Sequence, residues 1–457
     1  MRVLIANRGE IALRVLRACR ELGMEAVVAH SAADAGSAAV RAADQAFCIG
    51  PGPAAQSYLS IGALMTAVRA TGADAVHPGY GFLSESASFA DACAEAGVRF
   101  VGPGAGAIRL MGDKISARRV AEEASVPVVP GRVLGADAGE AAAVIRSMGG
   151  SVLVKAAAGG GGRGMRLVDA DGSSDDSSDG SSDDIAAAVE LARAEASAAF
   201  SDGTLYAERY VARGRHVEVQ VFGTADGVVG LGERDCSVQR RHQKLIEESP
   251  CGVLDAGARD AMRAAAVRLA ERVGYRGAGT VEFLWDLDAG AFFFLEMNTR
   301  LQVEHGVTEM RTGVDIVRQQ LLLAATGSCE LDAARPPQSR GHVIEARVLA
   351  EDPTRGFRPT PGRVTRFRPP AGPGVRVDTA LGPGDDVPPY YDSLIAKVVV
   401  EATTREHAIS RMRRALDEFE IEGVHTTLTT LDEVLGSEAF RADEHTTSWF
   451  DRAHGIH

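Results

Sequence analysis

The sequence predicts a mixed α/β and α+β protein of several domains, and three observations carry that expectation. The chain has 457 residues, a length that suits about three cores of ordinary size. It opens with strand-like runs alternating with helical periodicity, the pattern of a parallel sheet covered by helices. Its middle strings strand patterns around a glycine-rich segment, and its end mixes strands with one closing amphipathic helix.

In chain order, VLIANRGEIALRVLRACRELGMEAVVAHS reads strand, turn at Gly9, helix with apolar rhythm from Ile11 to Leu22, then strand. Further units run through ADAVHPGYGFLSE and VRFVGP, so a small doubly wound domain is expected over residues 1–112. It has no G-x-G-x-x-G and hence no dinucleotide fingerprint. A second region, 113–328, begins with a helix carrying Lys114 and a proline-punctuated connection. VLVKAAAGGGGRGMRLV follows, with Lys155 just before a glycine loop between two strand-like runs. Such a loop lets backbone N–H groups wrap phosphate oxygens without side-chain clash, and the Walker pattern is absent. Residues 169–184, DADGSSDDSSDGSSDD, are too polar to bury and read as a surface excursion. They lack the spacing of a calcium loop.

TLYAERYV and RHVEVQVFG then read as strands, the second placing His216, Glu218 and Gln220 opposite Val217, Val219 and Val221. ERDCSVQRRHQKLIEESP is dense in charge. A solvated basic loop is the usual fate of such a run, although Gln239, His242 and Lys244 sit in a span without solubilising serine repeats. GTVEFLW and FLEMNTRLQVEH flank DLDAG as a hairpin centred near Ala289. A helix, TGVDIVRQQLLLAATG, and a break at Pro336 and Pro337 lead to a third region, 329–457.

A net charge of −13 argues against general nucleic-acid binding. No stretch approaches 18 uninterrupted apolar residues, and Met1 leads straight into a strand, leaving no room for a signal peptide. The six cysteines are scattered without a CxxC pair. The expectation is a reduced, cytoplasmic enzyme with no membrane and no nucleic-acid partner.

Only four residues are lysine: Lys114, Lys155, Lys244 and Lys397. A codon bias toward arginine explains the scarcity but not the placement. Three of the four sit in polar or glycine-rich runs, where a compact, mobile ammonium does what a planar guanidinium cannot. Lys397 fits a surface remnant moderately well.

FLEMNTRLQVEH poses the sharpest question. In extended backbone its even positions, Glu296, Asn298, Arg300, Gln302 and Glu304, share one face. A solvated edge strand explains the alternation but not the choice of metal ligands, an anion fork and a base. With the hairpin near Ala289, Glu282 falls opposite or nearly opposite Glu296. Like charges so placed destabilise a sheet unless a cation such as Mg²⁺ or Mn²⁺ lies between them.

HPGYGFLSE, MGDK, KAAAGGGGRGM, RHVEVQVF, ERDCSVQRRHQK, EMNTRLQVEH and EARVLAEDP resemble, in order, the biotin carboxylase component of biotin-dependent carboxylases, over almost the whole chain. The resemblance implies a Rossmann-like N-terminal domain, an ATP-grasp domain with a mobile lid and a C-terminal biotin carboxylase domain. It implies that ATP is bound by Lys114, Lys155, Gly161, Gly162, Glu208, Arg209, Tyr210, Val211, His216, Gln239 and His242, with Glu282 and Glu296. Glu282, Glu296 and Asn298 would hold Mg²⁺ or Mn²⁺. Lys244, Arg300, Gln302 and Val303 would hold bicarbonate, Glu304 would be the base, and Arg347, with Tyr80, would meet biotin. The family usually reads EHPVTE and FLSENA where this chain has EHGVTE and FLSESA, so Gly306 is expected to loosen the backbone after the base.

The activity so implied is ATP- and bicarbonate-dependent carboxylation of biotin on a carrier, as the first half-reaction of an acyl-CoA carboxylase. No lysine stands in the Met-Lys-Met setting of a carrier. The expected partners are therefore a separate carrier protein or domain and a carboxyltransferase subunit, with a homodimer or larger complex. Two rivals stand beside this reading: another ATP-grasp carboxylate–amine ligase, which would not need Glu304 and Arg347, and a non-catalytic assembly subunit, which would have lost charge at the metal or base positions.

Overall fold

Val3, Leu4 and Ile5 are fully buried, and they lie in two different cores. Val3 and Ile5 pack with Ile11, Val15 and Leu16 on one face; Leu4 packs with Leu64, Val68 and Phe89 on the other. A strand apolar on both faces needs helices on both, and it forms the centre of a parallel sheet. The structure, a computed structural model, describes residues 1–157, 165–170, 182–200 and 202–456. Its first sheet comprises β1 (Arg2–Ile5), β2 (Glu25–Ser31), β3 (Gln45–Gly50), β4 (Ala75–His77) and β5 (Arg99–Phe100), in the order β3-β2-β1-β4-β5. The order reverses between β1 and β4, where α/β sheets open a crevice. Asn7, just after β1, closes this point by donating through Nδ2 to the carbonyls of Pro78 and Tyr80, each at 2.7 Å. Helix α1 (Gly9–Glu21) starts from Gly9 at φ +66°, a conformation suited to glycine.

A four-stranded antiparallel sheet follows: β6 (Gly131–Leu134), β7 (Ser151–Ala156), β8 (Arg166–Asp169) and β9 (Leu205–Arg209), ordered β6-β9-β7-β8. Helices Ala138–Met148 and Ser182–Phe200 cover it, around Ile145, Val152, Val154, Val189 and Leu205. The glycine loop, with Gly161 and Gly162, lies outside the described residues, as does most of the acidic run. At the ends of that run Asp169 closes β8, and residues 182–184 already belong to a helix.

The largest sheet has eight strands. It contains β10 (Gly214–Gly223), β11 (Val228–Arg240), β12 (Gln243–Ser249), β13 (Gly277–Asp286), β14 (Ala291–Asn298), β15 (His342–Leu349), β16 (Val375–Asp378) and β17 (Leu394–Ala402). The order is β14-β13-β10-β11-β12-β15-β17-β16. β12 pairs antiparallel with β15, Ile246 opposite Ala346, so hydrogen bonding runs across residue 328, where the sequence suggests a division. Among the described residues no helix is long and apolar enough to cross a membrane. None of the six cysteines is paired.

Three sequence expectations change. FLEMNTRLQVEH is not one strand: β14 ends at Asn298 and a helix starts at His305. Arg300, Gln302 and Glu304 therefore sit on a connecting loop, fixed at its start by Thr299, whose N–H donates to Glu85 Oε1 at 3.0 Å. The charged run ERDCSVQRRHQK is not a solvated loop. It forms the β11–β12 hairpin, with Arg234 and Gln239 buried and exposure confined to Arg241, His242 and Gln243 at its tip, the first two at positive φ. Lys397 is not a surface remnant, since its side chain is 0% exposed.

Candidate active site

The β13–β14 hairpin has the register that its sequence suggests: Glu282 lies directly opposite Glu296. On the other side of β13, Glu218 pairs with Glu282, so three carboxylates stand in a row across adjacent strands. Lys244, from β12, offsets two of the three. Its Nζ donates to Glu218 Oε2 and Glu304 Oε1 at 2.7 Å each, and to Glu282 Oε1 at 3.1 Å. Burial opposes its charge, but Cys236 and these carboxylates outweigh that and hold Lys244 well above the usual lysine range.

Lys244, Glu282, Glu296 and Glu304 line one cavity of about 1020 Å³ between the three sheets. Lys114 opens the helix Lys114–Glu123, whose N-terminal N–H at Ser116 donates to Asp113. Lys155 and Glu208 come from β7 and β9, with Lys155 Nζ 2.6 Å from Glu208 Oε1. Burial first, and then the like charge of Lys155, keep Lys114 below the usual lysine range. Two ammonium groups close enough to repel form an anion site. His216 Nε2 lies 3.0 Å from Glu282 Oε2, and Gln239 Nε2 lies 3.0 Å from His216 Nδ1. His242, at the hairpin turn, lines the same cavity.

The connecting loop is tied to this row. Gln302 Nε2 donates to Glu282 Oε1 at 2.8 Å, and Asn298 Nδ2 donates to the same oxygen at 2.9 Å. Arg300 donates to Glu85 Oε2 at 2.8 Å and to Asn298 Oδ1 at 2.9 Å. Glu304 is 2% exposed and accepts from Lys244 through Oε1 and from Arg347 Nη2 through Oε2 at 2.9 Å. Burial would raise its pKa, but Lys244, Arg347 and Arg234 hold it well below the usual carboxylate range, so Glu304 is ionised.

Arg347 also donates through Nε to Glu247 Oε1 at 2.6 Å. Its Nη1 has no protein partner among the described residues, and the side chain lines the cavity beside Val303 and Tyr80. A guanidinium held on two carboxylates, with two N–H groups left over, can meet an oxygen carrying negative charge.

The hard oxygen donors of Glu282, Glu296 and Asn298 suit Mg²⁺ or Mn²⁺. Glu296 fits the group independently of donor type: it has no hydrogen bond or ion pair among the described residues. Although its side chain keeps contact with solvent, desolvation by the cavity walls and the facing Glu282 hold it above the usual carboxylate range. A divalent cation would remove that repulsion.

The structure thus brings together sixteen of the residues read from the sequence. Arg209, Tyr210 and Val211, beyond Glu208, do not line the cavity; Arg209 instead pairs with Asp286 at 3.1 Å. Gly161 and Gly162 lie outside the described residues. Sequence reasoning passed over Arg234, which is fully buried and donates to Glu218 Oε1 and Gln302 Oε1 at 2.6 Å each. The β10–β11 register, Glu218 opposite Arg234, was the signal that could have found it. Glu85, Glu218 and Glu247 were likewise unassigned.

The departures at Ser86 and Gly306 have local explanations. Ser86 caps the helix Ala87–Glu95, its Oγ accepting from the N–H of Phe89, a role serine fills as well as asparagine. Gly306 is buried in the first turn of the helix His305–Thr312, where a Cβ would meet Glu345 Oε2 at 3.1 Å. Its backbone is helical rather than loosened.

Comparison with known proteins matches the chain along nearly its whole length. Residues 1–108 match the family model "Biotin carboxylase, N-terminal domain". Residues 113–331 match "Carbamoyl-phosphate synthase L chain, ATP binding domain", and residues 345–452 match "Biotin carboxylase C-terminal domain". Biotin carboxylase 1 of Bacillus subtilis is 46% identical over 452 residues, 98% of each chain. The structure of a biotin carboxylase complex with β-γ-ATP from Campylobacter jejuni superposes with a TM-score of 0.92 at 44% identity, covering 99% and 98% of the two chains. The biotin carboxylase domain dimer of Hydrogenobacter thermophilus 2-oxoglutarate carboxylase, in complex with MgADP, ADP and bicarbonate, gives 0.91 at 42% identity over 100% and 98%. Within the complete multifunctional pyruvate carboxylase of Rhizobium etli, 38% identical with a TM-score of 0.82, the match takes in 98% of this chain and 40% of the larger one. Matched along nearly its whole length by relatives of this kind, and carrying their three successive domains, the chain belongs to the biotin carboxylase family.

Proposed function

We propose that this protein uses ATP and bicarbonate to carboxylate the biotin of a carrier protein or domain, and that the acceptor of the second half-reaction is an acyl-CoA. The observation that carries the first part is Lys244: one ammonium bridges the carboxylate of the metal and nucleotide end, Glu282, to the base, Glu304, with Arg347 on the far oxygen of that base. Lys114, Lys155 and His242 receive the phosphates. Bound at Glu282, Glu296 and Asn298, Mg²⁺ or Mn²⁺ would neutralise phosphate charge. Arg300, Gln302 and Val303 hold bicarbonate so that Glu304 takes its proton. A bicarbonate oxygen then bonds to the γ-phosphorus, the bond to ADP breaks, and carboxyphosphate forms. Carboxyphosphate gives CO₂ and phosphate. The phosphate so released takes the proton of the biotin ureido nitrogen, which then bonds to CO₂, while Arg347 stabilises the charge on the ureido oxygen.

The acceptor is a proposal of a different kind, because relatives bear the names pyruvate carboxylase and 2-oxoglutarate carboxylase. A carboxyltransferase, on a partner subunit or elsewhere in a longer polypeptide, and a homodimer or larger complex complete the reading. ADP release measured without bicarbonate, with bicarbonate, and with free biotin added tests the first half-reaction; absence of bicarbonate stimulation would refute it. A rival ATP-grasp ligase would instead respond to a different carboxylate.

Lys155→Arg and Lys244→Arg are expected to lose at least about tenfold in bicarbonate-dependent ADP formation, because neither close contact accommodates a planar fork. Arg413→Lys, at a 46% exposed ion pair with Asp432, is expected to leave it unchanged. Parent rates in both lysine variants would remove the point-charge argument.

A further inference from the structure

Lys397 is the lysine that the proposed chemistry leaves unused, and it is completely buried in β17. Its Nζ donates to the carbonyl of Val303 at 2.7 Å. It also lies 3.0 Å from Glu10 Oε1 and 3.7 Å from Asp378 Oδ2. The same Glu10 oxygen accepts the hydroxyl of Tyr80, and the Lys397 ammonium stands 5.9 Å from the centroid of the Tyr80 ring. One buried cation thus touches α1 of the first sheet, the cavity wall at Tyr80 and the residue immediately before Glu304.

We propose that Lys397 is a positioning residue: it fixes the end of the 299–304 loop through the Val303 carbonyl, and couples the placement of Glu304 to the Glu10–Tyr80 wall of the cavity. The inference rests on the reading of Glu304 as the bicarbonate base. The loop lies outside both the preceding strand and the following helix. Side chains hold it instead: Glu85 at Thr299, and Lys397 at Val303. A buried ammonium needs anionic partners, and Glu10 and Asp378 supply them. The bond to Val303 is in addition to that pairing, and it bears directly on the geometry of the base. Lysine suits the place because an arginine fork would need more volume than a fully buried site offers.

The rival explanation is a buried ion pair that only stabilises the fold, and a second variant separates the two. Lys397→Met leaves Glu10 buried without its cation, whereas Glu10→Gln with Lys397→Met leaves no unpaired charge there, since Asp378 keeps Arg376 at 2.8 Å and the buried Glu345, held well above the usual carboxylate range by desolvation, stays protonated. The parent, both variants and Glu10→Gln alone are compared for melting temperature and for ADP formation as a function of bicarbonate and of ATP. Lys397→Met is expected to melt lower and to lose about tenfold or more in kcat/KM for bicarbonate, with KM for ATP within about twofold of the parent. The double variant is expected to regain the melting temperature but not the bicarbonate response. Recovery of both in the double variant, or a parent-like bicarbonate response in Lys397→Met, overturns the proposal. If Lys397→Met does not fold, the double variant against Glu10→Gln gives the same comparison. A parent without bicarbonate stimulation instead removes the functional reading on which the proposal rests.

Discussion

Glu304→Gln is expected to reduce bicarbonate-dependent ADP formation by roughly 10²–10⁴-fold, the range for a lost general base. The substitution keeps the side-chain length and one acceptor oxygen, so Lys244 can still donate to it. The other terminal atom becomes an NH₂ facing Arg347 Nη2, which in the parent donates to Glu304 Oε2 at 2.9 Å. Two donors then face one another and Arg347 loses half of its carboxylate support. ADP formed with and without bicarbonate, at saturating ATP, measures the effect. A rate within about threefold of the parent would show that Glu304 is not the base. Lys244, Arg347 and Arg234 keep Glu304 ionised well below the usual carboxylate range. A group with a depressed folded pKa keeps its base form as pH falls. The parent's activity should therefore show no acid limb from Glu304 between neutrality and the ordinary carboxylate range.

Arg347→Ser is expected to separate the two half-reactions. Carboxybiotin should fall by about 10²–10³-fold, the usual loss for a donor aimed at developing negative charge. ADP formation should fall far less, because Glu304 keeps Lys244 on its other oxygen at 2.7 Å, and unused carboxyphosphate decomposes in water. Some loss of ADP formation is built into the geometry, since Arg347 also orients Glu304. Folding is cushioned too. Glu247, fully buried beneath Arg347, is already raised to about 7 by burial, so it can take up a proton when its cation is removed. Measuring ADP and carboxybiotin in parallel decides the matter. Equal losses in both would assign Arg347 to the bicarbonate site through Glu304, and its place against biotin would be withdrawn.

The sequence by itself determined most of the elements and which residue types share a face. Alternation in RHVEVQVF placed Glu218 and Gln220 opposite three valines that are now seen in the core. Two strand patterns around a short turn set Glu282 against Glu296. The retention of four lysines in an arginine-rich chain pointed to three cavity residues. All of this is local: side-chain period, turn chemistry and residue type act over a few positions. The tertiary structure alone decided where FLEMNTRLQVEH stops being a strand, because that turn is anchored by Glu85, more than 200 positions earlier. It alone decided that a charged run is buried. ERDCSVQRRHQK looks solvated until Arg234 meets Glu218, Gln302 and Thr308 from three other segments, for a buried guanidinium is stable only where its donors are met. Lys397 was misjudged for the same reason. Its partners Glu10 and Val303 lie 387 and 94 positions away, and no local pattern records that three distant segments close around one ammonium.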